Sequence, residues 1–206
     1  MYRRDMRLLL LARHGQSLFN IDGVVNGEPA LDRGLSALGR SEAETLRAQI
    51  AGVTIDLCLT SQFPRAQETA RLALAGRAEP PPTVVDADLD DIRLGDLEGE
   101  TLADYRAWKH AHTRSEPFPG GESLADAARR YAAAYERLSS RSEDTILCVC
   151  HEIPVRYAVN AAAGSPDLDG PLHDIANATP YVFDGPGLLR AIRRMHELAD
   201  DEQARS

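Results

Sequence analysis

"RLLLLARHGQSLFN", residues Arg7–Asn20, places a continuous apolar run directly against an arginine and a histidine. A short run that is apolar at every position is typical of a strand buried on both faces of a parallel sheet. We therefore predict a strand over Arg7–Arg13 whose carboxyl end carries Arg13 and His14. A solvated strand end is one explanation for this polar pair. A functional site at the end of a core strand is the other.

The rest of the chain alternates strand-like and helix-like segments. Short apolar or β-branched runs predict further strands at Ile55–Ser61, Thr83–Leu89, Thr145–Cys150 and Asn177–Phe183. Helical spacing of apolar residues predicts helices at Leu35–Ile50, Pro64–Ala75, Thr101–His112, Ser123–Ser140 and Pro154–Gly164. This alternation predicts an α/β fold: a three-layer α/β/α sandwich with a mostly parallel central sheet. We treat 1–206 as a single domain with a small inserted helical lobe at about 101–140.

The two ends of the chain give weaker patterns. The start, "MYRRDM", is basic, and the apolar run behind it is shorter than the ~7–15 residues of a secretory signal, so we expect an exposed N-terminus before Arg7. Near the other end, Leu188–Asp200 has helical spacing, but the "DGPG" before it is typical of a hairpin turn. We predict a strand up to about Ile192, followed by a frayed tail.

Charge and cysteine content exclude several function classes. The net charge of −9 disfavours nucleic acid and anionic membranes as partners, and no apolar run approaches the ~18 residues of a membrane span. Three cysteines without a signal segment indicate free thiols in a reducing cytoplasm. Cys148, Cys150 and His151 stand too close together in sequence for the usual spacing of zinc ligands. We therefore expect a cytoplasmic protein that needs no metal and no cofactor.

Three predicted strand ends carry groups that can be cationic. Arg13 and His14 follow the first strand, Arg65 opens the helix after the second, and His151 follows the "TILCVC" strand. Because the carboxyl ends of parallel strands meet at one edge of the sheet, we expect these side chains to lie together. Buried like charges need a compensating anion, and phosphate fits best. We expect Gly15 to let the chain turn close to that anion.

Five motifs carry a resemblance to a known family. "LARHGQSLFN" matches L-x-R-H-G-[EQ]-[ST]-x-x-N, and "TSQFPRAQETA" matches T-S-x-x-x-R-A-x-[QE]-T-A. "DRGLSALGRSEA", "LDDIRLGDLEG" and "LCVCHE" correspond to three further motifs, and all five run in order from about residue 8 to about residue 158. The sequence resembles the histidine phosphatase superfamily, in its phosphoglycerate-mutase-like branch. A lone R-H-G would be weak evidence, whereas five ordered motifs are strong evidence.

The resemblance implies a role for each matched residue. His14 would attack phosphorus and become a phosphohistidine, with its other ring nitrogen donating to a backbone carbonyl. Arg13 and Arg65 would hold the equatorial oxygens of the phosphoryl group. His151 would add a donor as an imidazolium, and Asn20 would bind phosphate.

The general acid is the point where the sequence departs from the family pattern. The family's glutamate falls on Asp91, with Asp90 beside it, and Glu152 stands where the branch usually has glycine. An acid after the second histidine protonates the leaving group in the phytase-like branch, so Glu152 could share that role. Alternatively, Glu152 is a rim carboxylate that pairs with Arg156. We favour Asp91 as the general acid and keep Glu152 as the alternative acid. We also predict that Glu152 binds substrate.

The leading functional prediction is a metal-independent phosphomonoesterase that acts on a small phosphorylated metabolite. A cofactor-dependent phosphoglycerate-type mutase is the close alternative. The resemblance implies that such mutases carry a longer insertion and a C-terminal tail over the site, so the shorter chain of 206 residues favours hydrolysis. A catalytically poor relative that binds phosphorylated ligands is the third. The expected partner is a small phosphorylated substrate, and the sequence leaves a homodimer open.

Overall fold

A computed structural model describes residues 6–203; residues 1–5 of the predicted exposed N-terminus, and residues 204–206, lie outside that range. The described part contains a single five-stranded sheet. Its strands are β1 (Leu8–Arg13), β2 (Leu57–Thr60), β3 (Thr83–Val85), β4 (Thr145–Cys150) and β5 (Pro180–Asp184). The helices are α1 (Leu18–Asp22), α2 (Ala37–Gln49), α3 (Pro64–Ala73), α4 (Leu102–Ala111), α5 (Leu124–Ser139), α6 (Glu152–Ala162) and α7 (Gly185–Gln203).

The strand order is β3-β2-β4-β1-β5, with β5 antiparallel to β1 and the other pairs parallel. Strands β2 and β3 follow β1 in sequence but do not pair with it, and β4 lies between β2 and β1 in the sheet. The carboxyl ends of β2, β4 and β1 are therefore neighbours in the middle of the sheet. Ligands of open α/β sheets bind at such an edge.

Alternate side chains of the central strands enter two separate cores. On β1, Leu9 and Leu11 pack in the cluster that contains α5, α6 and α7, whereas Leu10 and Ala12 pack in the cluster that contains α2 and α3. Strand β1 is thus apolar on both faces, which explains why its sequence is apolar at consecutive positions. The predicted three-layer α/β/α sandwich is confirmed.

The region of the predicted lobe holds α4 and α5. Helix α5 buries Tyr131 and Tyr135 in the larger core and packs against α7 and α6. Helix α4 is more exposed, and Trp108 on it packs against Phe118 with tilted rings whose centroids lie 4.2 Å apart. Within residues 6–203, none of the helices combines the length and apolar character needed to cross a bilayer.

The prediction for the segment after Asp184 is wrong. The strand ends at Asp184, and Gly185–Gln203 forms α7 instead of a strand to Ile192 and a frayed tail. The Oδ1 atom of Asp184 accepts from the backbone N–H of Gly187 at 2.6 Å, so "DGPG" begins a helix and does not close a hairpin. Leu188, Ala191, Ile192, Met195 and Ala199 form the buried face of the helix.

Candidate active site

The two predicted histidines meet where β1 and β4 end. His14 and His151 are 3% and 0% exposed, and their ring centroids lie 5.3 Å apart. The backbone of His14 is fixed on both sides, since its N–H donates to the carbonyl of Cys150 at 2.9 Å and its carbonyl accepts from Nδ2 of Asn177 at 2.8 Å. The sheet therefore holds the imidazole of His14 on a rigid support.

Hydrogen bonds define which ring nitrogen of His14 carries the proton. Nδ1 lies 2.7 Å from the carbonyl oxygen of Gly15 and donates to it, and Nε2 accepts from Nε of Arg65 at 3.1 Å. Burial, then the cations of Arg65 and Arg13, hold the pKa of His14 well below its ordinary value. The imidazole is therefore neutral near pH 7, with the lone pair of Nε2 facing the cleft. The contact of Nδ1 with the carbonyl of Gly15 is the one expected for a nucleophilic imidazole.

Gly15 is required for packing. Its N–H donates to Oγ1 of Thr69 at 3.0 Å. A Cβ at this position would lie 2.3 Å from the carbonyl oxygen of Gly39 in α2, because the loop after β1 touches the backbone of that helix. The expectation that Gly15 lets the chain turn close to an anion stays a prediction.

Arg65 is the central cation of the site. It is 3% exposed, and its guanidinium carbon lies 4.1 Å from the ring centroid of Phe63. Asp32 accepts from the backbone N–H of Arg65 at 2.7 Å and pairs with its Nη1 at 3.3 Å. Asn26 accepts from Nη1 at 2.6 Å through its side chain and from Nη2 at 3.1 Å through its carbonyl. A buried charge needs such partners, and these fix the direction of the guanidinium.

Asn26 is itself held by a carboxylate. Nδ2 of Asn26 donates to Oε1 of Glu98 at 2.7 Å, and the other oxygen of Glu98 accepts from the N–H of Gly27 at 2.7 Å. The amide of Asn26 must therefore present its oxygen to Arg65. Glu98 thus orients Arg65 through Asn26.

His151 is neutral in this arrangement, which holds no anion, and the imidazolium expected with bound phosphate stays a prediction. Its Nδ1 accepts from Nη2 of Arg65 at 3.2 Å, and its Nε2 donates to Oγ of Ser61 at 2.8 Å. Burial, then the cation of Arg65, hold the pKa of His151 well below its ordinary value. Both nitrogens are occupied, so without an anion the ring has no second proton.

Arg13 and Glu152 form an ion pair at the edge of the site. Nη1 of Arg13 lies 2.9 Å from Oε2 of Glu152 and donates to the carbonyl of Ile175 at 2.9 Å. The other oxygen of Glu152 accepts from Nη1 of Arg156 at 3.0 Å. Glu152 therefore makes the contact with Arg156 that was its alternative explanation, and both its oxygens are engaged with guanidinium groups.

The neighbours Asp90 and Asp91 point to different places. Asp90 accepts from the N–H of Gln62 at 2.7 Å and thereby holds the loop after β2. Asp91 borders the cleft, with Oδ2 at 3.4 Å from Nη2 of Arg65 and 3.5 Å from Nδ1 of His151. Burial raises the pKa of Asp91, against the opposing cation of Arg65. A carboxyl group that keeps its proton to a higher pH is suited to general acid catalysis.

Arg130, on α5, positions the segment that carries Asp91. Its guanidinium donates to the carbonyls of Asp88 at 3.0 Å, Asp90 at 2.9 Å and Asp91 at 3.2 Å. Glu122 pairs with the same guanidinium, and both side chains are at least nine-tenths buried. One buried ion pair thus fixes the short 3-10 helix Ala87–Leu89 together with the loop that follows it.

We expect Arg130→Met to lower the free energy of unfolding by about 3 kcal/mol, because it leaves the carboxylate of Glu122 buried and unpaired. The matched control is Arg137→Met on the same helix, whose arginine pairs with Asp86 and Asp88 but is half exposed. That change should cost less than about 1 kcal/mol. Urea unfolding of both variants measures the difference, and equal losses would contradict the assignment.

Asn20 lies beside the site but does not reach the two histidines. Its side-chain oxygen accepts from the N–H of Ser17 at 3.0 Å in a capping box at the start of α1. The residue is exposed and borders the cleft. Binding of phosphate by Asn20 stays a prediction.

The cleft has a volume of about 270 Å³. The buried His14 and Arg65 form its inner end, and Arg13, Asp91 and Glu152 also border it. Helix α6 begins at Glu152, so the positive end of its dipole also lies there. Among residues 6–203, His, Cys, Asp and Glu side chains form no group of three or more that could hold a metal ion. The arrangement can bind a compact anion against an unprotonated imidazole nitrogen.

Sequence reasoning located the groups at the strand ends and missed most of their supports. Asp32, Asn26, Glu98, Ser61 and Arg130 hold the arginine, the second histidine and the aspartate from loops or from another helix. Ser61 is the exception, because it is the polar end of the predicted strand Ile55–Ser61 and its place at this edge follows from the same pattern as that of His151. The remaining supports have no periodic signal.

An unprotonated imidazole nitrogen between arginines, at the carboxyl edge of a parallel sheet, is an arrangement suited to phosphoryl transfer. The chain belongs to the histidine phosphatase superfamily, branch 1, whose family model matches residues 9–196. This confirms the family resemblance that the motifs indicate.

Individual relatives are named either as phosphoglycerate mutases or as phosphatases. A 2,3-bisphosphoglycerate-dependent phosphoglycerate mutase of Bartonella bacilliformis is 30% identical over 86% of this chain and 92% of its own length. A protein of the same name from a Methylobacterium species is 38% identical over 60% of this chain, which spans 64% of that protein. The alpha-ribazole phosphatase structure from Shigella flexneri has a TM-score of 0.74 and 28% identity, and covers 86% of this chain and 90% of its own. The relatives thus support a phosphoryl-transfer enzyme.

Proposed function

We propose that this protein is a phosphomonoesterase that forms a phosphohistidine on His14 and acts on a small phosphorylated metabolite. The observation that carries the proposal is the orientation of His14, whose Nδ1 proton is held by the carbonyl of Gly15 at 2.7 Å. Nε2 is thereby left as a lone pair at the inner end of the cleft, beside Arg65. A nucleophile for phosphorus needs that lone pair and a cation for the phosphoryl oxygens.

The reaction has two steps. In the first, the lone pair of His14 Nε2 attacks phosphorus, the bond from phosphorus to the ester oxygen breaks, and the proton of Asp91 passes to that oxygen. In the second, water attacks the phosphohistidine, the phosphorus–nitrogen bond breaks, and Asp91 takes a proton from the water. The Nε–H of Arg65 then donates to a phosphoryl oxygen in place of Nε2 of His14. The negative charge of the phosphoryl group then favours a proton on His151.

Hydrolysis is favoured over a mutase reaction by the charges in the outer cleft. A mutase must retain an intermediate with two phosphate groups, and the second phosphate needs cations. Three outer cations border the cleft, Arg106, Lys109 and Arg156, and the last two pair with Asp169, at 3.4 Å and 2.9 Å. Arg156 also pairs with Glu152. The neutralised Lys109 and Arg156 support release of the product, whereas the names of the curated relatives favour the mutase alternative.

The test offers both reactions to the same enzyme. The protein is incubated with 3-phosphoglycerate and a trace of 2,3-bisphosphoglycerate, and separately with a panel of phosphomonoesters, while inorganic phosphate and isomer exchange are measured. We expect free phosphate from at least one ester and no isomer exchange. Exchange between the phosphoglycerate isomers without free phosphate would establish the mutase. Absence of both, together with tight binding of phosphorylated ligands, would establish the binding protein.

A further inference from the structure

One wall of the outer cleft is formed by apolar side chains, while the charged side chains of Arg106, Lys109, Arg156 and Asp174 also border the cleft. Phe19, Val24, Val25, Leu102 and Ile153 border it beyond the phosphate-binding end. Leu102 is the first residue of α4, directly after the cap residue Thr101, and it is 38% exposed. An exposed leucine needs no explanation by itself. Five apolar side chains at the mouth of a charged site indicate what the site receives.

The backbone behind this wall has little hydrogen-bonding capacity left for a ligand. The N–H of Val25 donates to the carbonyl of Glu100 at 2.9 Å, and the N–H of Leu102 donates to the carbonyl of Gly23 at 2.9 Å. The carbonyl of Val25 accepts from the N–H of Gly99 at 3.2 Å. These three bonds join the segment after α1 to the segment before α4, and they satisfy the peptide groups that form them. The wall is therefore rigid and presents mainly side-chain carbons.

Phe19 is fixed from behind by a cation. The guanidinium carbon of Arg33 lies 4.4 Å from the ring centroid of Phe19, and Arg33 also pairs with Asp22. A ring held in this way loses little conformational entropy when a ligand packs against it. The apolar wall is thus preformed on this side as well.

We infer that the alcohol portion of the substrate is a small hydrocarbon chain or ring, which packs against this wall while the phosphate lies at His14. The inference rests on the phosphomonoesterase proposed above and names its substrate class. A polyhydroxylated alcohol packed on this wall would place hydroxyl groups against Val25 and Leu102, whose side chains offer them no partner, which is costly. The cleft, at about 270 Å³, also lies just below the ~300–1,000 Å³ usual for small-molecule sites. A compact ester fits it.

A series of straight-chain alkyl phosphates tests this inference, because their leaving alcohols have nearly the same acidity. From n-propyl to n-hexyl phosphate, we expect kcat/KM to rise about threefold to fourfold per methylene that reaches the wall. The affinities of the matching alkylphosphonates, measured by calorimetry, should rise in parallel without any turnover. Glycerol 3-phosphate, which has the three carbons of the propyl ester, should be the poorer substrate.

A matched pair of variants locates the effect. Leu102→Asn should flatten the dependence of kcat/KM on chain length. Leu38→Asn is the control, because Leu38 lies in the first turn of α2, is 54% exposed and does not border the cleft. The Leu38→Asn variant should show the same dependence of kcat/KM on chain length as the unmodified protein. The series on the unmodified protein decides the question even if Leu102→Asn fails to fold.

The outcomes separate this inference from the proposed function. Hydrolysis of the esters with no dependence on chain length, or a preference for 3-phosphoglycerate over the alkyl esters, would overturn the hydrocarbon substrate and leave the phosphatase standing. Chain-length-dependent phosphonate binding without hydrolysis of any ester would support the apolar wall and overturn the phosphatase.

Discussion

Replacing His14 by alanine is expected to reduce phosphate release from a phosphomonoester about 10⁴-fold or more, with the fold retained. The reason is that Nε2 is the atom that would form the covalent bond, and loss of a nucleophile costs about 10⁴–10⁶ in rate. A 10⁴-fold loss corresponds to about 5.5 kcal/mol of transition-state stabilisation. The measurement is kcat/KM for phosphate release, together with labelling of the protein by a radioactive phosphoryl donor. His14→Ala should take no label.

The control for this change is a histidine outside the cleft. His196, on α7, lies 3.0 Å from a carboxylate oxygen of Glu136 and is exposed enough to tolerate substitution. His196→Ala should keep both labelling and turnover. A His14→Ala protein that is folded and retains more than a tenth of the activity would show that phosphohistidine formation at this residue is not the route.

The position of the site could be predicted because it follows from strand ends. An apolar run that stops on a polar residue marks where a buried strand leaves the core, and His14 and His151 stand at such points. Parallel strands end at the same edge, so the two residues had to share an edge. Their closeness also required β4 to be inserted next to β1, an order that no local pattern specifies.

Most supports of the site could not be predicted, because they come from segments without periodicity. Glu98 lies in a loop and Arg130 faces inward from α5, and each acts through backbone groups or an amide. The neutral state of His151 depends on the same kind of information. It is set by donation from Arg65 and by burial, and neither is visible in a strand pattern.

The misassigned C-terminal helix shows where two sequence signals conflicted. The helical spacing of Leu188, Ile192 and Met195 was the correct signal, since these side chains are buried against the core. Asp184 and the glycines after it suggested a turn, but an aspartate before a helix is also a cap. Proline is tolerated in a first turn, so "DGPG" was compatible with both structures.

Asp91→Asn is expected to lower kcat/KM for an alkyl phosphate about 10³-fold and to change p-nitrophenyl phosphate turnover much less. An alkoxide is a poor leaving group and needs a proton in the transition state, whereas nitrophenolate does not. General acid catalysis is worth about 10²–10⁴-fold when the leaving group requires it. The ratio of the two rates, measured for each variant, therefore reports the acid and is insensitive to simple loss of folded protein.

Glu152→Gln is the matched control, because it also removes one negative charge near Arg13. Both oxygens of Glu152 contact guanidinium groups, whereas Oδ2 of Asp91 lies 3.4 Å from Arg65 and 3.5 Å from His151. Glu152→Gln should therefore lower both substrates by a similar and smaller factor. If it abolished alkyl phosphate turnover selectively while Asp91→Asn did not, the general acid would be Glu152.

The pH dependence provides a second check on the same assignment. Burial raises the pKa of Asp91, so the carboxyl group of the free enzyme stays protonated to a higher pH than an exposed aspartic acid. As the pH rises through that raised pKa, the protonated fraction falls, and kcat/KM for the alkyl ester should fall with it. The nitrophenyl ester should lack this descending limb, and Asp91→Asn should remove it from the alkyl profile. A limb that persists in Asp91→Asn would belong to another group.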